Sequence, residues 1–486
     1  MKSIVKRSIQ AGLVFFTMSL SAVAQDAYSD KNALPEIGVV ASSALPLSKE
    51  KIIGDAVMKQ MRGQAPLIMD PVLDEYLQDL GNRLVRYADS AKFPFHFFWV
   101  NNDAINAFAF FGGNIGVHSG LIHHAKSESE LASVLAHEIS HVTQRHLARK
   151  IESQQKTAPL ALASMLGGVL LAIASPEAGM AALAGSQAAN AQMQIDYTRS
   201  NEEEADRIGI TMLAHAGFDP DAAASFFSTL NEKYRLVSQP PARLLSHPLT
   251  ETRVADARAR AANFPSVSLA PSLSFHLAKS RIMSRYTFDK RYSLDYYSNA
   301  VKNKKYVVRE AALYGLALAY LRNEQADKAE PIINELLAQR PENLFYLDAA
   351  TDISLAQSNY AQATDRLAPH LARTPRNKVL ALNQANALIE AGEQQKAIKI
   401  LRDYLLVDKE YEVAWQLLTS AYQRSDDRKD MHQAKAEVFM LNGAHQRAID
   451  ELQFAYNYTG DNHLEKQKIR ARIKQIREDE ERLKRL

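Results

Sequence analysis

Residues 135–141 read LAHEISH, and what that stretch means decides how the rest of the chain is read. His137 and His141 stand four residues apart, so on a helix they project from one face at chelating distance, with Glu138 beside them. Imidazole is a good zinc ligand. Zinc brings water to ionise near neutral pH, and a neighbouring carboxylate can then act as the base. The bland alternative is a polar helix face carrying two satisfied histidines. A catalytic zinc wants three protein ligands and one open position, so a third ligand decides the matter. His146 follows His141 by five residues, whereas the metzincin pattern needs six with a glycine between, and Gln144 stands in the glycine place. His146 is therefore read as a poor ligand, either exposed or sitting behind the ligands.

The third ligand is sought in SNEEEAD, residues 200–206. Ser200 followed by Glu203 reads as a capping box that starts a helix. At about 100° per residue that helix buries Ala205, Ile208, Gly209, Met212 and Leu213 on one face. Glu202 falls closest to this face. Glu203 and Glu204 point away, and Glu203 is placed to pair with Arg207. Asp206 lies four residues after Glu202 on the same side, where it would orient a ligand imidazole. The sequence thus offers one Zn2+ per chain, held by His137, His141 and Glu202, with Glu138 as the base.

Working outward, Phe93 to Val100 reads as an aromatic strand, and Ile105 to Val117 as two strands around Gly112-Gly113. Asn106, Ala107 and Phe108 begin a strand whose edge could accept an extended substrate, though an ordinary core hairpin reads equally well. Ser127 to Lys150 reads as one long helix capped by Ser127 and Glu130. The chain opens with Lys2, Lys6 and Arg7, a short apolar stretch, and Ala22-Val23-Ala24. That is the pattern of a cleavable signal peptide, residues 1–24, and it predicts a periplasmic protein. Without residues 1–24 there are 55 basic and 55 acidic residues, so nothing points to nucleic acid. The absence of cysteine excludes disulfides, thiol catalysis and lipoprotein attachment. Residues 158–175 are uncharged and read as a buried or lid helix, with peripheral membrane contact as the alternative.

Beyond residue 309 the pattern repeats. Leu321, Leu355 and Ile389 are spaced by 34, as are Ala329, Ala363 and Ala397, and Leu337, Leu371 and Leu405. A 34-residue period with small residues where helices cross is the signature of tetratricopeptide helix pairs. The echo of Gly392–Ala397 in Gly443–Ala448 comes after 51 residues, so the array reads as irregular past residue 411. The expected organisation is a leader over 25–47, a catalytic domain over 48–265, connecting helices over 266–308 and the repeats over 309–486.

His137 to His141 together with Glu202, Ala205 and Asp206 resembles metallopeptidase family 48, the group of HtpX and the CaaX prenyl proteases. The signal peptide, Ser246-His247-Pro248 and the C-terminal repeats are similar to its exported, repeat-bearing members. The resemblance implies a mainly α fold with a small β-sheet in a gluzincin-type zinc metalloprotease domain, followed by an α-solenoid. It implies that His247 occupies the fourth zinc position and holds the enzyme latent, and that Arg253 steadies the site, unless Arg253 is a surface partner of Glu251 and Asp256. Catalytic candidates are then Glu138, Asp206 and His247. Implied partners are the outer-membrane β-barrel assembly machinery and misfolded or stalled barrels, including the lipopolysaccharide-export barrel, with both cleavage and chaperone-like assistance. A non-proteolytic scaffold with a structural zinc is the competing class, and an intact Glu138 speaks against it.

Overall fold

Helix α1 (Leu47–Gln64) is amphipathic and buries Ile53, Val57, Met58 and Met61. In this computed structural model the described residues are 41, 45–153, 199–234, 247 and 249–484. The signal peptide, most of the 25–47 leader, the apolar run 158–175, Ser246 and Pro248 lie outside them. After the short strand β1 (Leu67–Ile68) comes α2 (Pro71–Val85), capped by Asp70, whose carboxylate accepts from the amides of Val72 and Leu73. Proline at the first helical position costs no hydrogen bond there.

The sheet follows: β2 (His96–Val100), β3 (Ala107–Phe110) and β4 (Asn114–His118), in the order β1-β2-β4-β3. β3 and β4 pair antiparallel across a turn in which Gly112 and Gly113 both take positive φ, 78° and 83°. That is the hairpin the two glycines predict. β2 runs parallel to β4, with His96 opposite Asn114 and Val100 opposite His118. Ile115 and Val117 point into the main core. Phe98, Val100 and Phe110 pack with α1 in a second core on the other face.

Two helices follow β4: α3 (Ser119–His124) and α4 (Glu128–Thr143), with Ser127 capping α4 by accepting from the Glu130 amide. The single helix expected over 127–150 is broken. α4 stops at Thr143, Arg145 turns left-handed at φ 53°, and α5 (His146–Ser153) sets off anew. The buried Arg145 guanidinium holds this break by donating to Glu50 of α1 at 2.8 Å and to the Leu45 carbonyl at 2.6 Å. Among the described residues the next helices are α6 (Arg199–His215), α7 (Ala222–Tyr234), α8 (Glu251–Ala261) and α9 (Leu273–Ile282). Ser200 lies inside the first turn of α6 and so is not its cap.

After α10 (Lys290–Lys302), antiparallel helix pairs continue to the C-terminus: α11 (Arg309–Arg322), α12 (Ala326–Gln339), α13 (Leu344–Ala356), α14 (Tyr360–Arg373), α15 (Lys378–Glu390), α16 (Gln394–Tyr404), α17 (Glu412–Arg424), α18 (Arg428–Leu441), α19 (His445–Asn457) and α20 (His463–Lys484). The second helices of successive pairs start at Ala326, Tyr360, Gln394 and Arg428, each 34 residues on. The spacing therefore stays regular beyond residue 411. The 51-residue echo arises because α19 starts half a period after α18 yet carries the sequence pattern of a second helix. The architecture is a mainly helical metalloprotease-type domain with a four-stranded sheet, followed by a helical repeat region. One continuous core runs from Ile68 through Phe275 and Tyr314 to Val379, across the expected bounds at residues 265 and 308. Among the described residues no helix is long and apolar enough to cross a membrane.

Candidate metal centre

α4 and α6 pack unusually closely, and the reason is side-chain size. A Cβ on Gly209 would lie 3.2 Å from the backbone of Ala136 and His137, tighter than most real contacts. Glycine in α6 facing alanine in α4 lets the helices approach, which brings a carboxylate one turn from the start of α6 against both histidines of α4. His137, Glu138, His141 and Glu202 are all buried.

The donor atoms converge. His137 Nε2 lies 2.9 Å from His141 Nε2 and 3.4 Å from Glu202 Oε2, and His141 Nε2 lies 3.4 Å from Glu202 Oε1. His247 completes the set, its Nδ1 3.0 Å from Glu202 Oε1 and 3.3 Å from His137 Nε2. One ligand atom from each of these four residues lies within 4.8 Å of all the others. Zinc bonded tetrahedrally at about 2.0–2.2 Å would hold its donors roughly 3.3 Å apart. Three imidazoles and a carboxylate gathered at that spacing, with little water about, fit a divalent metal of that kind.

The groups behind the donors fix their orientation. His137 Nδ1 is 2.8 Å from Asp206 Oδ1, and Arg253 grips Asp206 through Nε and Nη2 at 2.7 and 2.9 Å. Arg253 Nη1 also reaches Glu202 Oε2 at 2.9 Å. Arg253 is thus buried in the centre, and its partners are Asp206 and Glu202. Burial would raise the carboxyls of Glu202 and Asp206. For Glu202, the charge of His247 and the bonds from His137 and His141 hold it far below the usual range. For Asp206, His137 and Arg253 do the same. Burial works against a charged His137, yet Asp206 and Glu202 raise it to about 9 when no metal is present. Burial and the neighbouring His137 keep His141 well below its ordinary value.

Glu138 is fully buried beside the donors, its Oε1 3.7 Å from His247 Nε2. Glu203 is exposed, as expected. Glu204 departs from expectation. It turns back to accept from Arg149 at 2.9 Å and lies 3.2 Å from the wholly buried His146, whose other nitrogen is 2.8 Å from His141 Nδ1. Helical periodicity pointed Glu204 at water because it took no account of α5, which starts anew after the break and sets His146 and Arg149 against Glu204. The Arg145–Glu50 pair also escaped the reading, since residues 95 positions apart leave no local signal. Asn106, Ala107 and Phe108 lead into and form β3, the edge of the sheet, beside α4.

The profile of peptidase family M48 matches residues 71–261, which contain every donor above. The putative beta-barrel assembly-enhancing protease of Vibrio cholerae serotype O1 is 44% identical over 464 residues, covering 95% of each chain. The beta-barrel assembly-enhancing protease of Escherichia coli K12 is 43% identical over 480 residues, covering 99% of this chain and 98% of that one. The mitochondrial metalloendopeptidase OMA1 of Arabidopsis thaliana is 35% identical over 133 residues, covering 27% of this chain and 25% of that protein. Similarity of this extent along nearly the whole length leaves one assignment: the chain belongs to peptidase family M48 and is a metalloprotease.

Proposed function

We propose that the protein is a periplasmic zinc endopeptidase, kept latent by His247, that degrades misassembled outer-membrane β-barrel proteins and assists their assembly. The observation that carries the catalytic part is the four-donor cluster with Glu138 buried beside it. A bound zinc would polarise the scissile carbonyl and acidify the attacking water. Glu138 takes that water's proton and returns it to the leaving amine. Asp206 accepts from His137 Nδ1 and so leaves Nε2 free to bind metal, while Arg253 keeps Asp206 ionised and in place. His247 fills the place a substrate carbonyl or water needs, so it must withdraw before cleavage.

An extended substrate adds as a strand to β3, whose only partner among the described residues is β4. Misassembled β-proteins suit this mode because their strands lack partners. The names of the two full-length relatives support the β-barrel assignment. The helix pairs are read as tetratricopeptide repeats that dock the β-barrel assembly machinery and stalled barrels, the lipopolysaccharide-export barrel among them, on the faces not packed against the peptidase domain.

Metal analysis combined with casein digestion, with and without chelator, tests the catalytic reading. Glu138→Gln should retain zinc and lose at least about 100-fold in cleavage. Full activity in that variant would overturn the assignment. His247→Ala should cleave casein severalfold faster than the wild type, and equal rates would remove the latch.

A further inference from the structure

The two ligand histidines of α4 are backed in parallel but unequal ways. Behind His137 stand one carboxylate and one arginine, Asp206 and Arg253. Behind His141 stand His146, then Glu204, then Arg149. Two ring nitrogens 2.8 Å apart form a hydrogen bond only if one carries a proton and the other does not. With Nε2 of His141 turned to the donor cluster, its proton sits on Nδ1 and is donated to Nδ1 of His146. That leaves the His146 proton on Nε2, facing Glu204 Oε2 at 3.2 Å. Glu204 accepts from Arg149 as well, at 2.9 Å. Every proton in the chain has one place, and every group keeps its ordinary charge: two neutral rings, one carboxylate, one guanidinium.

The backbone is shaped to allow this. In an unbroken helix residue 146 would be rotated about 140° from residue 141 and could not lie under it. The left-handed turn at Arg145, held by Glu50 and the Leu45 carbonyl, ends α4 and swings His146 beneath His141.

We propose that His146 and Glu204 are positioning residues for His141, fixing its tautomer and ring direction so that the centre binds metal tightly. Neither residue belongs to the donor cluster. The inference rests on the metal-centre reading and extends it to two residues outside the HExxH motif.

The test measures zinc affinity of the full chain by competition with a chromophoric chelator, alongside melting of the metal-free protein. His146→Leu and Glu204→Ala should each weaken zinc binding, by about 10- to 100-fold for His146→Leu. His146→Asn keeps an acceptor oxygen near the place of Nδ1 and should recover part of the loss. A residue that merely fills space predicts the reverse order, because leucine fills a fully buried site better than asparagine. Unchanged affinity in His146→Leu, or weaker binding by Asn than by Leu at 146, would overturn the proposal. If His146→Leu fails to fold, Glu204→Ala decides alone, since its side chain is 28% exposed and carries little of the core. Wild-type protein that binds no zinc would defeat the metal-centre reading itself. Wild-type binding matched by every variant would defeat only the relay.

Discussion

Glu202 sits where a carboxylate should not survive, almost wholly out of water and without a carbon skeleton long enough to reach it. Burial of such a charge is sustained only by close positive or donor groups. Glu202 has Arg253 permanently charged at 2.9 Å and three imidazoles around its oxygens. The same logic makes the metal-free protein sensitive to pH. His137 is raised to about 9, above its ordinary 6.5. Its protonated form therefore stabilises the metal-free fold fully below pH 6.5, and that stability is lost as pH rises towards 9. The loss amounts to at most about 3 kcal/mol. Chelator-treated protein should melt progressively lower from pH 6.5 to 9, while zinc-loaded protein, whose His137 is already deprotonated, should not follow. A chelated melting profile that runs parallel to the loaded one would contradict the assignment. That Glu202 is the inward glutamate was legible from a period of 3.6 residues. That Glu204 is also engaged was not, because its partners come from a helix whose direction no local pattern gives.

Among the elements, the repeat helices show how little of a turn is written in its residues. The first helices of four successive pairs are each followed, two residues past their last, by a left-handed residue: Glu324 at φ 61°, Ser358 at 59°, Gly392 at 80° and Asp426 at 54°. Each is followed by an amide that bonds back to a carbonyl in the last turn, as in Gln325 to Tyr320, Asn359 to Ser354, Glu393 to Leu388 and Asp427 to Tyr422. This closure favours glycine, which pays no steric penalty there. Glu324→Gly, Ser358→Gly and Asp426→Gly should each raise stability by about 0.5–1 kcal/mol, and Gly392→Ala should lower it by a similar amount. Urea denaturation of the four variants checks this, and destabilisation by all three glycines would show that their side chains hold the turns. Only Gly392 announced its turn in the sequence. The 34-residue spacing of hydrophobic and small residues announced the helices themselves, because packing between neighbours repeats even where turn residues vary.

Across the whole molecule, the peptidase domain and the repeats are joined by a buried charged cluster. Arg281 of α9 donates to Asp70, the cap of α2, at 2.7 Å, and to Asp348 of α13 at 2.6 Å, with Tyr314 and Asn383 bonded into the same group. Glu75 with Asn377, and Asp74 with Tyr411, extend the contact along α2. Arg281→Met would take from two buried carboxylates the cation hydrogen-bonded to both, leaving only the nearby charge of Arg285, and should cost about 3–5 kcal/mol. Adding Asp70→Asn and Asp348→Asn to that variant should recover much of the loss, since it removes the stranded charges. Urea unfolding of the single and triple variants measures both effects. A single variant as stable as the wild type would show that the cluster does not hold the two regions together.

Composition, period and spacing determined that this chain carries a paired-histidine motif on a helix, an inward glutamate on a second helix, and a helical array of 34-residue units. Those features depend only on residues near one another in sequence, where a helix's geometry is fixed by its own backbone. The tertiary structure alone decided that α4 breaks at Arg145, that His146, Glu204 and Arg253 gather behind the donors, and that α2 is riveted to the repeats. Each of these depends on charges and rings brought together from distant positions, and no periodicity within a single segment encodes such a meeting.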